Sequence, residues 1–493
     1  MSWVIGVDVG SQSVKGVLLD PAGAIVAGAA RPCAMAHPRN GWAEQDPRSW
    51  ERGLAEVVGQ LLAAGPARPG DIGHLALACQ VDGVVPVDRE LAPLRDAIIW
   101  LDRRAEAQAA ALAAGIGEAA AFAITGLNID SSHTAPKIMW LREHEPDLFR
   151  AARSLPPVAA FLLGRLTGVL AQDAANASAS LLYDLNTGDW SDRMLDAAGI
   201  DGALLPPILP STEVVGTLTP DAARLLGLTT ACRVLVGTGD EHAASIGAGA
   251  VRPGIIADIT GTAEPVTVTA DRPVFDPGRM VETHAHGVEG LLLVENPGFV
   301  SGGSTLWLAR SVLGVDQQDV FELAEKVPAG ADGVGFLPAL SGSMTPRWNG
   351  AMRGGFTGLS MSHDGSHLAR AVLEGCAFAL RDVVDRLHEL GLGERGEVRV
   401  VGGGARSPLW LRIKADVTGR PMRPVLTPEA TATGAAMLAG LAAGIFTDIK
   451  DATARAVRLA PEPVLPDPRR RDLYDCAYAR YRATFDAIEK ATS

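Results

Sequence analysis

Four stretches of this sequence combine residue types that can do chemistry. In the first, VDVGSQSVKG, an apolar run ends on Asp8 and is followed by Gly10, Ser11, Gln12, Ser13 and Lys15. Backbone N–H groups and serine hydroxyls in such a turn can cradle phosphate oxygens. The carboxylate can hold Mg²⁺, and the lysine can offset phosphate charge. Asp, Gly and Ser are also the commonest residues of a plain hairpin turn, so the stretch alone carries both readings. In the second, VLVGTGDEHAASIG, Asp240 stands where a strand gives way to a helix. Open α/β sheets bind ligands at that edge, and a carboxylate there can take a hydroxyl proton as general base. Asp is equally a good helix N-cap, and one residue can be both. The third, VRVVGGGARSPLW, leaves bare backbone between a strand and a helix, suited to a flat or phosphate-bearing ligand, although tight packing selects the same glycines. The fourth is THAHG, where His284 and His286 would share one strand face. Without a third ligand nearby, that pair reads as packing rather than metal binding.

The elements that must position these residues alternate between strand and helix. VIGVDVG, VKGVLLD and AIVAGAA read as successive strands, and HLALACQ as a buried one. RSWERGLAEVVGQLLAAG has helical periodicity closed by a glycine where a C-cap belongs. The alternation indicates an α/β architecture with a mixed or parallel sheet covered on both faces. The opening also recurs. GIIADITGTAEPVTVTA again gives an apolar run, an acid, a Gly/Thr turn and an alternating strand, with Asp258 in the place of Asp8. A chain of 493 residues is too long for one ordinary core. The echo points to two domains, 1–248 and 249–493, with a junction near residues 246–253. The segment from about residue 447 onward is charged and helical, and is expected to pack as a surface helix.

Composition excludes several classes of function. The net charge is −13 and no basic block occurs, which argues against nucleic acid as a partner. The five cysteines are scattered without a Cys-x-x-Cys pair, so neither a zinc site nor a disulfide framework is expected, and a reducing cytosol is. No apolar run approaches the roughly 20 residues of a membrane helix, and no signal peptide is visible. The sequon at Asn176 is read as chance.

Nearly end to end, the chain resembles the FGGY family of carbohydrate kinases. SHTAPKIMWLREH (132–144) is similar to the first of that family's two signatures, and GGFTGLSMSHDGSHLARAVLE (354–374) to the second. GWAEQDPRSW, LPALSG and GGGARSPLW are also typical of it. The resemblance implies two ribonuclease-H-like domains of the actin/Hsp70 ATPase type, with the active site in the cleft between them. It implies transfer of the γ-phosphoryl of ATP, as its Mg²⁺ complex, to a hydroxyl of a small sugar or polyol. By the same resemblance Asp240 is the catalytic base, and Asp8, with Asp240, organises Mg²⁺. Gly10, Ser11, Gln12 and Ser13 form the first phosphate loop, with Lys15 as its basic residue, and Gly261 and Thr262 the second. Gly403, Gly404 and Ala405 form the adenosine turn, and Gly302 closes the adenine pocket from another side.

The implied acceptor site departs from the family's xylulokinases. Where those commonly read Gln-Met-His-Gly, this chain reads Gln80-Val81-Asp82-Gly83. An ionised Asp82 only accepts hydrogen bonds, whereas a histidine also donates, so a vicinal diol should still be gripped but discriminated differently. Trp100 matches an aromatic that packs on the substrate carbon chain, and Ser132 is a further candidate contact. Glu241 stands where xylulokinases often have Asn. Lys137, Trp140 and Glu374 belong to the signatures but are read as structural, because buried charges are usually paired. Trp42, Glu44 and Asp46 are given no role. The expected function is an ATP-dependent kinase of a ketopentose, D-xylulose by default, with another pentulose or a polyol such as erythritol as the alternative. A non-catalytic, actin-like nucleotide-binding protein is the reading from a different class, and retention of Asp240 speaks against it. A dehydrogenase is excluded because GGGARSP lacks the Gly-x-Gly-x-x-Gly spacing. The expected partners are ATP and the small acceptor, with no nucleic acid or membrane, and a homodimer is left open.

Overall fold

The computed structural model describes residues 3–393 and 396–492. Its first sheet grows from the opening stretch. Strands β1 (Trp3–Val9) and β2 (Ser13–Leu19) pair antiparallel with Asp8 opposite Lys15, and the chain reverses where Gly10 N donates to Ser13 O at 3.0 Å. The hairpin reading of VDVGSQSVKG is therefore correct as geometry. Strand β3 (Ile25–Pro32) extends the meander. Helix α1 (Pro47–Ala64) begins with Asp46 accepting from Arg48 N and with Pro47 in its first turn, and it buries Trp50, Leu54, Val57, Val58 and Leu61. Asp46, given no role from sequence, is thus a helix cap. Gly65 ends the helix as anticipated, but with an extended φ of −98° rather than a left-handed one. A side chain is excluded there because a Cβ would lie 2.6 Å from Leu18 Cδ2.

Strand β4 (Ile72–Cys79) runs parallel to β1, and helix α2 (Thr134–His144) lies buried from Thr134 to Leu141. Strands β5 (Val214–Thr217), β6 (Arg233–Leu235) and β7 (Thr238–Gly239) complete a seven-stranded sheet of order β3-β2-β1-β4-β6-β5, with β7 also pairing β4. Helix α3 (Asp240–Gly247) follows β7 directly.

The second sheet repeats the plan. Strands β8 (Ile256–Thr260), β9 (Ala263–Ala270), β10 (Glu282–Ala285), β11 (Leu292–Val300), β12 (Val398–Gly402) and β13 (Met422–Pro424) lie in the order β10-β11-β9-β8-β12-β13. As in the first sheet, an antiparallel meander is joined to parallel strands, here β8 to β12 with Thr260 opposite Gly402. This is the two-domain α/β ribonuclease-H-like arrangement that the resemblance implied. Helices α4 (Gly302–Trp307), α5 (Gly365–Glu389) and α6 (Pro408–Thr418) belong to this half.

One helix crosses back. The small-residue helix α7 (Ala430–Ala442) packs on the first sheet, where Ala432, Ala435 and Ala436 join Val4, Val17, Ala76, Ala243 and Ile246 in one apolar cluster. The approach is close: a Cβ on Gly6 would lie 2.2 Å from Ala432 O, and one on Gly434 1.9 Å from Ala243 O. Helix α8 (Arg471–Thr492) is charged on its outer face, as expected of the tail. It is also a core element, because Tyr474 and Phe485 are fully buried against the second half. Among the described residues, no single helix is long and apolar enough to cross a membrane.

Candidate active site

The three parallel strands β1, β4 and β7 end together. Asp8 lies opposite Ala78 on β4, and Thr238 on β7 lies opposite the same residue from the other side. Asp8 leaves from β1, the Gln80–Gly83 turn from β4 and Asp240 from β7, so all three sit at the carboxyl edge of one sheet. Asp240 is the first residue of α3, with Gly239 in the cap position, and its Oδ1 accepts from Glu241 N at 3.0 Å. Burial holds the Asp8 carboxyl well above the usual range, and the charge of Asp240 raises it further while Lys15 lowers it. Asp240 is raised well above its ordinary value by burial and then by Glu241. Lys15 points its ammonium at Glu429, 2.8 Å away. Two carboxylates facing each other with so little cationic compensation form a hard-oxygen donor set that fits Mg²⁺.

The repeated acid of the second sheet is placed differently. Asp258 is fully buried and bound by Lys414 at 2.7 Å, and the same ammonium reaches Thr260 Oγ1 at 2.9 Å and Glu264 at 3.0 Å. That charge is neutralised inside the fold.

Beyond the end of β8 opens a cleft of about 760 Å³ lined by Gly261, Thr262, Gly302, Gly403, Gly404 and Trp410, among others. Two of the glycines, Gly302 and Gly404, are steric requirements. Gly302 N donates to Gly261 O at 3.1 Å, and a Cβ on Gly302 would sit 2.3 Å from that oxygen. A Cβ on Gly404 would sit 2.6 Å from Thr260 Cγ2. Ala405 lies in the short helical turn Gly403–Arg406 and is half-buried beside the cleft. Phe321 and Trp410, with ring centroids 5.7 Å apart, add an aromatic wall. Exposed backbone beside an aromatic wall suits a nucleotide, with phosphates toward the turns and base against the rings. Gly10, Ser11, Gln12, Ser13 and Lys15 are not among the residues lining this cleft and belong to the first sheet's hairpin.

The acceptor candidates divide by what already binds them. Gln80 is almost fully buried and donates to Gln45 Oε1 at 2.8 Å, and Gln45 in turn donates to Ser11 O at 2.7 Å. This glutamine pair ties the β4 turn to the first hairpin. Val81 and Asp82 are half-buried. Asp82 takes a left-handed φ of 61°, and Lys137 Nζ donates to its carbonyl at 2.6 Å and also to Ser132 O. Lys137 is fully buried, and burial lowers its ammonium to about pKa 8. The Ser132 hydroxyl is committed to Asp130 at 2.5 Å. Trp100 is half-buried in the turn after Ala97–Ile98. Burial, and then the charge of Glu295 on β11, hold the Glu241 carboxyl well above its usual range, and Glu295 lies 3.1 Å from His284 of β10. His286 lies just past the end of β10, where its Nδ1 accepts from Val288 N at 2.9 Å, so the two histidines do not share a strand face as the sequence suggested. Among the described residues no group of three or more His, Cys, Asp or Glu is arranged to hold a metal ion.

Sequence reasoning missed His133, Gln45, Glu282, Glu295 and Lys414. His133 lies within the first signature, next to the serine that was singled out, and its Nδ1 is 3.2 Å from Asp82 Oδ1. The signature residues read as structural are bound internally: Glu374 by Arg370 at 2.7 Å and by Tyr474 at 3.0 Å. Glu44 takes Arg104 at 2.6 Å, while the same guanidinium stacks 3.6 Å over Trp42 and 4.9 Å from Trp140.

Comparison with known proteins decides the family. The model of the FGGY family of carbohydrate kinases, N-terminal domain, matches residues 3–247, and that of its C-terminal domain matches residues 257–443. The chain belongs to the FGGY family of carbohydrate kinases. It is a phosphotransferase with an alcohol group as acceptor. This FGGY kinase is 31% identical to a xylulose kinase of Escherichia coli (strain K12), covering 89% of this chain and 90% of that one. It is 33% identical to a glycerol kinase of Gloeobacter violaceus, covering 92% and 90%. The crystal structure of xylulose kinase from Rhodospirillum rubrum superposes with a TM-score of 0.89 at 31% identity, covering 99% of both chains.

Proposed function

We propose that this FGGY kinase transfers the γ-phosphoryl of ATP to a hydroxyl of a ketopentose, D-xylulose to D-xylulose 5-phosphate. The observation that carries the reading is the shared sheet edge, where the acceptor turn at Asp82 leaves β4 between Asp8 on β1 and Asp240 on β7. In this reading Asp240 accepts the proton of the attacking hydroxyl as it approaches phosphorus. Asp82, Trp100, Ser132 and Glu241 orient the acceptor. Gly261, Thr262, Gly302, Gly403, Gly404 and Ala405 hold the nucleotide in its cleft, and the Gly10–Ser13 hairpin with Lys15 meets its phosphates from the other lobe. Asp8, with Asp240, would hold Mg²⁺, which neutralises phosphate charge when bound. Most of the catalysis is then positioning, since phosphoryl transfer asks little covalent chemistry of the protein. The similarity to xylulose kinases over most of the chain supports the ketopentose. Asp82, with the equally similar glycerol kinase, supports the second reading, another pentulose or a polyol such as erythritol. All five cysteines are free, in keeping with a reducing cytoplasm.

The test is ADP release measured over D-xylulose, other pentuloses, hexuloses, tetritols and glycerol. Acceptor-dependent turnover with D-xylulose as the preferred substrate is expected. Preference for a tetritol would replace the acceptor, and ADP release independent of any acceptor would favour the non-transferase reading.

A further inference from the structure

We infer that His133 and Asp82 act as one specificity-determining unit, in which the imidazole holds one carboxylate oxygen of Asp82 and leaves the other to accept from a hydroxyl of the acceptor. The inference rests on the kinase reading and deepens it at the acceptor turn.

Two observations carry it. His133 Nδ1 lies 3.2 Å from Asp82 Oδ1 and 2.8 Å from Ala179 O. Both neighbours are acceptors, so that nitrogen carries the hydrogen and fixes one carboxylate oxygen. The Asp82 backbone is fixed as well, in a left-handed conformation whose carbonyl Lys137 holds at 2.6 Å. With the backbone and Oδ1 tied, Oδ2 is the oxygen free to accept from substrate hydroxyls, and the Asp82 side chain keeps 13% of its surface exposed. The second observation is the other imidazole nitrogen. His133 is 5% exposed, and its Nε2 is buried without a hydrogen-bond partner among the described residues, so it remains available as a polar contact behind the acceptor turn.

The experiment is steady-state kinetics on the wild-type enzyme with D-xylulose, D-ribulose, erythritol, glycerol and D-gluconate. His133→Ala, His133→Asn, Asp82→Asn and the His133→Ala/Asp82→Asn double variant are then measured on the preferred acceptor. His133→Ala should raise the acceptor KM by ~10-fold or more with the ATP KM within about 2-fold. His133→Asn, whose amide nitrogen takes the place of Nδ1, should restore most of that loss. The double variant should be no worse than the worse single one, as for two residues acting together. Additive losses, or no rescue by Asn, would overturn the inference while leaving a working kinase. If His133→Ala does not fold, Asp82→Asn, His133→Asn and their double variant decide the same question by whether their losses add. Absence of acceptor-dependent turnover with every compound would instead overturn the kinase reading, and the dyad with it.

Discussion

Lys414 Nζ lies 2.7 Å from Asp258 Oδ2, and Asp258 stands on the first strand of the second sheet's meander, one residue deeper than Asp8 stands on the first strand of its own. The two strand-mouth acids therefore have opposite fates. Asp258 is neutralised internally by a lysine that also reaches Glu264 and Thr260. Asp8 faces Asp240 across one strand, and its cross-strand neighbour Lys15 is occupied by Glu429. One copy of the duplicated opening is built for stability, and the other keeps its charge for a ligand.

Replacing Lys414 by Met should therefore be strongly destabilising, because it strands two buried carboxylates. A loss of ~3–5 kcal/mol is expected from urea unfolding. Adding Asp258→Asn and Glu264→Gln should recover most of it. A loss below ~1 kcal/mol for Lys414→Met alone would contradict the neutralising role.

Asp240→Asn should remove the base while keeping the side-chain shape and its hydrogen bond to Glu241 N. Turnover is expected to fall by ~10²–10⁴-fold, with ATP binding measured by calorimetry nearly unchanged. Turnover near the wild-type level would take Asp240 out of the proton-transfer role.

Gly302→Ala tests the nucleotide cleft sterically. Its Cβ would stand 2.3 Å from Gly261 O, so the Gly261–Thr262 turn must shift or the helix start must move. At ~1–3 kcal/mol for such overpacking, the ATP KM should rise by roughly 5- to 150-fold. The acceptor KM should stay close to wild type. An unaltered ATP KM would mean that this turn does not touch the nucleotide.

The geometry separates what local sequence can reach from what it cannot. Asp8, Asp240, Gly261 and Gly403 are legible because each ends a strand, and a strand end is a local pattern of apolar run, turn residue and helix start. The duplicated meander is legible for the same reason. What is not legible is the partner that a side chain meets across the fold. Lys414 stands 156 residues from Asp258, and His133 stands 51 from Asp82. Nothing local in LWLRIKADV says that its lysine is buried on an acid, since lysine on a helix is ordinarily solvated. Helix α7 was missed for a related reason. Its alanines and glycines show little amphipathic pattern, because both faces are covered and the contact depends on close backbone approach rather than on large side chains. The Ser132 hydroxyl and the Gln80 amide nitrogen are committed to Asp130 and Gln45, partners that no local pattern announces.

The His133–Asp82 pair also has a signature in stability against pH. Burial by itself disfavours the imidazolium, but the charge and hydrogen bond of Asp82, helped by Glu282 and Asp130, outweigh it and raise His133 to about pKa 9. The folded value exceeds the unfolded value of about 6.5, so the native state binds the proton more tightly. The stabilisation is then complete below pH ~6.5 and is lost as pH rises through ~9. A shift of this size corresponds to at most ~3 kcal/mol. Urea midpoints of wild type and His133→Asn, compared at pH 6, 7, 8, 9 and 10, isolate this contribution, because other titrations are common to both proteins. The wild-type advantage should be largest at pH 6, shrink steadily to pH 9 and be nearly gone at pH 10. A gap that stays constant across that range would mean that His133 carries no extra proton in the fold, and that Asp82 is held by a neutral ring.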